Sequence, residues 1–194
     1  MLIIGLGNPG KEYENNRHNT GRIVLSKIAE INDFPDWKND VKLKALRTKG
    51  QISQEKVEFL LPDTFMNNSG VAVSALIDSP KKLKNLMVIY DDMDLPLGSL
   101  KISYNRSSGG HNGLESIIKK VKSQEFARIR IGVSPINPTG KMKKPKGKAA
   151  VLKFLLGDLK PDELKIIKAE AKKVSEIIAL ISAEGKDKAM TLFN

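Results

Sequence analysis

Two short apolar runs constrain this chain more than anything else in it. Leu2, Ile3 and Ile4 lead into GLGNPG, and LMVIY at 86 to 90 leads into DDMDLPLG. Consecutive large apolar residues with no polar alternate suit a strand buried on both faces, and such strands belong to parallel sheets covered by helices. Each run breaks off directly into polar residues, which is how the carboxyl end of a strand delivers chemistry to the edge of an α/β sheet.

The segments between these runs agree with that frame. Thr20 opens a stretch with Ile23, Val24, Ile28 and Ile31 at helical spacing, closing near Asn32 and Pro35. KLKALRTK at 42 to 49 and KVEFLLP at 56 to 62 alternate around Gly50 and read as a hairpin, and 64 to 80 reads as a helix ending before Pro80. GSLKISY at 98 to 104 and ARIRIGV at 127 to 133 read as strands separated by the helix LESIIKKV. The predicted architecture is a single α/β domain over residues 1 to 194, with a mixed, twisted sheet and helices on both faces. A Pro-, Gly- and Lys-rich stretch at about 135 to 148 reads as a mobile basic loop. An amphipathic helix is predicted over about 161 to 184, from Leu164, Ile167, Ala171, Val174, Ile178 and Ile181, with Lys165, Lys168, Lys172 and Lys173 on its other face.

Charge narrows the partners. Lys and Arg number 33 against 22 acids, a net charge of +11, which favours a polyanion; only 6 of the 33 are Arg, so a lysine-rich habit explains part of the excess. The chain has no Cys, which removes disulfides, thiolate metal sites and cysteine nucleophiles. MLIIGLGNPG carries no basic leader and its apolar run is too short for a signal sequence or a span, so a cytoplasmic protein is expected.

Three places could carry chemistry. GLGNPG at 5 to 10 formally satisfies G-x-G-x-x-G, but dinucleotide binding needs the glycines to open a helix. The next residues are KEYENNRHN, nine polar positions without an apolar stripe, so the turn reads instead as a loop projecting the amide of Asn8. The second place is that polar loop, with Tyr13, Arg17, His18 and Asn19; His18 is one of only two histidines and could accept a proton near neutral pH. The third gathers strand ends: Asp91, Asp92 and Asp94 after LMVIY, and His111 and Asn112 after the glycine bend. If the two apolar strands are parallel neighbours, Asn8, His18 and Asp91 share one edge. An Asp beside a His fixes its tautomer and stabilises the imidazolium, and with no G-x-S-x-G elbow the nucleophile is water. Asn8, Asn67 and Asn112 could donate to an oxyanion. Two alternatives stay open at this point: a metal nuclease using Asp91, Asp92 and Asp94, and core or capping roles for Phe65, Met66 and Asn67.

GLGNPG, Tyr13, RHNTG, TFMNNSG, DDMDLPLG, GGHNGLESI, RIRIG and EGKDKAM, in this order from Leu2 to Phe193, resemble bacterial peptidyl-tRNA hydrolase. The resemblance implies a single α/β domain that cleaves the ester between a peptide and the 3′ end of tRNA, recycling the tRNA, as a monomer and without metal or cofactor. It implies that His18 is the general base, that Asp91 keeps it receptive, and that Asn8 distinguishes a blocked from a free amino group. Tyr13, Phe65, Asn67 and Asn112 then touch the tRNA end, Met66 and His111 line the cleft, and Arg130 faces the phosphate backbone. The chain departs from the family at Asn16, where Thr or Ser is usual, and in YNRSSGGHNG, where Arg106 or Lys101 would replace a phosphate-clamping cation. A non-catalytic RNA-binding protein on the same fold is the alternative; retention of His18 with Asp91 favours the enzyme.

Overall fold

The computed structural model describes residues 1–137 and 139–194. Among these residues seven strands form one sheet: β1 (Leu2–Gly5), β2 (Lys38–Asp40), β3 (Ala45–Ile52), β4 (Glu55–Pro62), β5 (Leu86–Pro96), β6 (Leu100–Tyr104) and β7 (Ala127–Ser134). Their order is β2-β3-β4-β1-β5-β7-β6, parallel from β4 through β1 and β5 to β7 and antiparallel at both margins. The mixed sheet is therefore the predicted one, with the two apolar runs as adjacent parallel strands at its centre: Ile3 opposes Met87 and Gly5 opposes Ile89.

Among the described residues seven helices accompany the sheet: α1 (Thr20–Ile31), α2 (Ser69–Ser74), α3 (Pro80–Lys84), α4 (Asn112–Val121), α5 (Lys148–Leu155), α6 (Pro161–Glu184) and α7 (Lys186–Phe193). Alternation along the central strands divides the core in two. Ile3, Met87, Ile89, Ile129 and Ile131 pack with Val24 and Ile28 of α1 and Ile167, Val174 and Ile178 of α6. Ile4, Leu60, Val88 and Tyr90 pack with Val73 of α2 and Leu114 and Ile117 of α4. Helices thus cover both faces. α6 occupies the range its three-and-four spacing predicts, with Pro161 in its first turn and Gly185 beyond its last. Among the described residues no helix is long and apolar enough to cross a membrane.

α1 approaches β5 unusually closely. A Cβ on Gly21 would collide with the carbonyl oxygen of Ile89 and stand 2.7 Å from the amide nitrogen of Leu6, so only glycine permits this packing.

Several elements differ from the sequence reading. The hairpin does not turn at Gly50, which lies inside β3, but at Ser53 in the left-handed region (φ 56°). Gly50 is small because the Phe34 ring, stacked on Phe59 at 4.4 Å, lies against it; a Cβ there would be 2.8 Å from that ring. The helix expected over 64 to 80 breaks into a 3-10 turn (Met66–Asn68), the short α2, and α3. α2 already ends at Ser74; Ser79, before a proline, is extended (φ −152°, ψ 156°) and caps α3. β2 was not predicted; Arg47 of β3 holds Asp40 at 2.8 Å and also pairs with Glu58. α5 and α7 were also unpredicted. α5 has no fully buried residue, and its apolar set at helical spacing, Val151, Phe154 and Leu155, is only half-buried; it takes over the chain where the basic loop at 135 to 148 ends, and Pro138 of that loop lies outside the described residues.

Candidate active site

The carboxyl ends of β1, β4 and β5 open onto one edge of the sheet, and the loops leaving them carry the polar residues singled out above. β1 feeds the GLGNPG turn, which enters a single 3-10 turn (Lys11–Tyr13) and not a helix, so the dinucleotide fingerprint is absent in structure as well. Asn8 is buried. Its backbone N–H donates to Asn19 Oδ1 at 2.8 Å, and Asn19 Nδ2 donates back to the Asn8 carbonyl at 2.9 Å. Asn8 Oδ1 accepts the Met66 N–H at 2.7 Å, which leaves its NH₂ to donate elsewhere.

His18 sits in a second 3-10 turn (Arg17–Asn19) just before α1, 5% exposed. Its Nδ1 lies 3.0 Å from each carboxylate oxygen of Asp91, which is 3% exposed. A proton on Nδ1 serves that bond and leaves Nε2 with a lone pair, the tautomer a general base requires. His111 reaches the same carboxylate, with Nε2 3.0 Å from Asp91 Oδ1. Because His111 Nδ1 accepts the N–H of Leu114 at 3.2 Å as the cap of α4, its proton must reside on Nε2, pointing at Asp91. The two imidazoles stand 4.7 Å apart, tilted by 49°. Sequence reasoning placed His111 in the cleft and missed this bond: β6 runs antiparallel to β7 and ends at Tyr104 opposite Ala127, so the glycine bend has to bring His111 back to the edge that carries Asp91.

The electrostatics follow from burial and charge. Burial pulls the His18 imidazolium down, but the charge of Asp91 and its hydrogen bond outweigh that, so the ring keeps its proton to higher pH than a free histidine. Burial pushes the Asp91 carboxyl up, and the attraction of His18 and then of His111 more than reverses it, holding the group well below the usual carboxylate range. Burial pushes the Tyr90 phenol up to about 12, so it meets His111 as a neutral ring, edge on at 4.9 Å.

His18, Asp91 and His111 each bring a ligand atom within 4.8 Å of the others, and they are the group among the described residues that could hold a metal ion. At 3.0 Å their separations are those of hydrogen bonds, which an ion at the usual distance of about 2.0 to 2.2 Å would have to break. The carboxylates of DDMD do not converge: successive strand residues face opposite ways, Asp92 accepts from Arg130 Nε at 2.6 Å, and Asp94 meets Lys144 at 2.8 Å. The metal-nuclease arrangement of Asp91, Asp92 and Asp94 is therefore not formed.

The remaining predicted residues lie on the loops after β1 and β4, on α4 and on β7. Phe65 is 59% exposed and meets the Tyr13 ring edge on at 6.3 Å, bringing two loops together. Asn67 is exposed, and Asn112, also exposed, is the first residue of α4. Met66 is buried; a Cβ on Gly113 would run into its sulfur, so that glycine lets α4 close over the site. Arg130 lines a cleft of about 680 Å³ with Asp91, Lys101, Arg106 and His111. Sequence reasoning passed over Arg128, its neighbour on the same face of β7. Arg128 is fully buried and donates to the carbonyls of Ser107, at 2.8 Å, and Arg106, fixing the glycine bend before His111. Strand alternation in ARIRIG was the available signal.

The model of the family described as peptidyl-tRNA hydrolase matches residues 2–194. A peptidyl-tRNA hydrolase of a Thermoanaerobacter species is 40% identical over 194 residues, covering 100% of this chain and 98% of that protein. That of Aquifex aeolicus is 40% identical over 185 residues, covering 89% and 84%. The crystal structure of the Acinetobacter baumannii peptidyl-tRNA hydrolase superposes with a TM-score of 0.86 at 29% identity, covering 100% of this chain and 93% of that one. Fold, sequence and the order of motifs agree, and the chain belongs to the peptidyl-tRNA hydrolase family.

Proposed function

We propose that hydrolysis of peptidyl-tRNA, the reaction for which the family is named, runs in this chain through His18 as general base, steadied by Asp91. The observation that carries this reading is the 3.0 Å contact of His18 Nδ1 with both oxygens of a buried carboxylate, which leaves Nε2 to take a proton. A water beside Nε2 gives up that proton and attacks the ester carbonyl. The oxyanion that forms meets the side-chain amides of Asn8, Asn67 and Asn112, and the ribose oxygen departs with the proton returned by the imidazolium. Asp91 holds the ring's orientation and offsets its transient charge.

Asn8 also has a recognition role in this reading: its NH₂, aligned by Met66 N–H, donates to a peptide carbonyl that an unblocked aminoacyl group lacks. Tyr13 and Phe65 offer ring faces to the bases of the tRNA end, and Met66 with His111 walls the cleft. Arg130, Arg106 and Lys101 offer cations to phosphates, and the loop at 135 to 148 with the lysine face of α6 extends that surface. The enzyme acts as a monomer in the cytoplasm, without metal. The test is release of N-acetyl-aminoacyl groups from tRNA compared with unblocked aminoacyl-tRNA, with and without EDTA. Selective release that survives chelation supports the reading; RNA binding without release would favour the non-catalytic alternative.

A further inference from the structure

The residue before the base is tied to the far end of the chain. Arg17 Nη2 bonds Glu163 Oε2 at 2.7 Å, and Arg17 Nη1 donates to the carbonyls of Asp158 at 2.8 Å and Gly157 at 3.3 Å. Its guanidinium lies 4.7 Å from the centre of the Phe154 ring, and its backbone N–H donates to the Gly157 carbonyl at 3.1 Å. Asn16 joins the same strap: its Nδ2 donates to Asp158 Oδ1 at 2.7 Å, and Leu159 N–H donates to the Asn15 carbonyl at 2.8 Å. Glu163 is itself fixed, because the same Oε2 accepts the Lys160 N–H at 2.8 Å in the capping box of α6. Arg17 and Glu163 side chains are only 11% and 14% exposed, so the pair is well desolvated, and burying it requires a return in order.

We propose that Arg17 is a positioning residue for hydrolysis: by clamping the Arg17–Asn19 turn to the elbow between α5 and α6, it sets where His18 stands against Asp91. The turn is too short to hold itself. Asn19 bonds the GLGNPG loop on one side, and the strap on Glu163, Asp158 and Gly157 holds the other, so His18 is suspended between two anchors. A planar guanidinium suits the second anchor because its donors are held in fixed directions toward a carboxylate and two carbonyls, whereas an ammonium's three donors radiate from a single nitrogen. The departure at Asn16 then falls into place: an amide is long enough to reach Asp158 and add to the same clamp. The proposal rests on His18 being the base, and its test keeps the two apart.

Arg17→Lys retains the charge near His18 and loses the fork, so any change in the base reports geometry and not electrostatics. The ionisable groups facing His18 are Asp91 from β5 and His111 at the start of α4, and both are untouched by this variant. We expect kcat to fall about tenfold with KM within about twofold, as misplacement of a reacting group produces. The acid limb of the kcat profile should also move to lower pH, because the raised affinity of His18 for its proton depends on contact with Asp91. Glu163→Gln, which weakens the anchor from the other end, should move both readouts in the same direction by less. If Arg17→Lys does not fold, Glu163→Gln alone decides. Unchanged kcat and an unmoved acid limb in a folded variant would overturn the proposal, as would a loss confined to KM or thermal stability. His18→Ala is run alongside: if it still turns over, the base assignment is what has failed; if it is inactive while Arg17→Lys is normal, only the clamp has.

Discussion

The proposed catalytic centre and the basic periphery of this enzyme are built on opposite principles. At the centre, Asn8, His18, Asn19, Asp91 and His111 are few, mostly buried, and bonded to one another or to backbone at 2.7 to 3.2 Å. At the periphery, lysines of the 135 to 148 loop and of α6 are many and mostly exposed. Buried polar groups held by specific partners have no substitute when one is lost, whereas solvated charges add weakly and are screened. Chemistry should therefore be fragile to single substitutions and binding should be robust to them but sensitive to salt.

The sharpest way to break that contrast is His18→Ala, expected to lower kcat by about a thousandfold, within the usual range for a lost general base, while tRNA affinity stays within about twofold. Comparable losses in both would make His18 part of the binding surface. Asp91→Asn comes next, with a fall of about a hundredfold, since the ring loses both its fixed tautomer and the charge that offsets its protonation. The same variant should lower the His18 pKa, measured by imidazole NMR, because burial then acts unopposed.

In the unaltered enzyme the pH dependences of activity and stability should run in opposite senses. His18 is raised in the folded state, so its ion pair with Asp91 contributes stability fully below the unfolded value near 6.5 and loses it as pH rises through the folded value. Activity appears over that same rise, since only the neutral ring can take a proton. Denaturant unfolding and kcat/KM measured across about pH 5 to 9 would show whether the two curves cross.

For the periphery, tRNA affinity should drop by at least about tenfold between roughly 50 and 200 mM salt through counterion release. The smallest effect expected is that of a single lysine, Lys143→Ala or Lys172→Ala, at about twofold in KM with kcat unchanged. A hundredfold loss from either would put a buried, specific contact where an exposed charge is described.

The same division explains what could be read from the sequence. The central strands and α6 were legible because continuous apolar runs and three-and-four spacing leave little choice of burial, and motif order carried Asn8, His18 and Asp91 to one edge. The double hydrogen bond to Asp91 was not legible, since it depends on the angle at which α4 meets β5. Nor was the clamp on Arg17, whose partners lie about 140 residues away in a segment with no motif. Gly50 misled for a local reason: its smallness answers to the Phe34 ring across the strand and not to a turn.

One absent methyl group sets the dimensions of all this. With Gly21 pressed on the Ile89 carbonyl, the first turn of α1 lies flush on the strand that carries Asp91, two residues further on. Any side chain there would act as a wedge at the pivot of a lever whose tip is the imidazole, opening the gap to the carboxylate without touching either group.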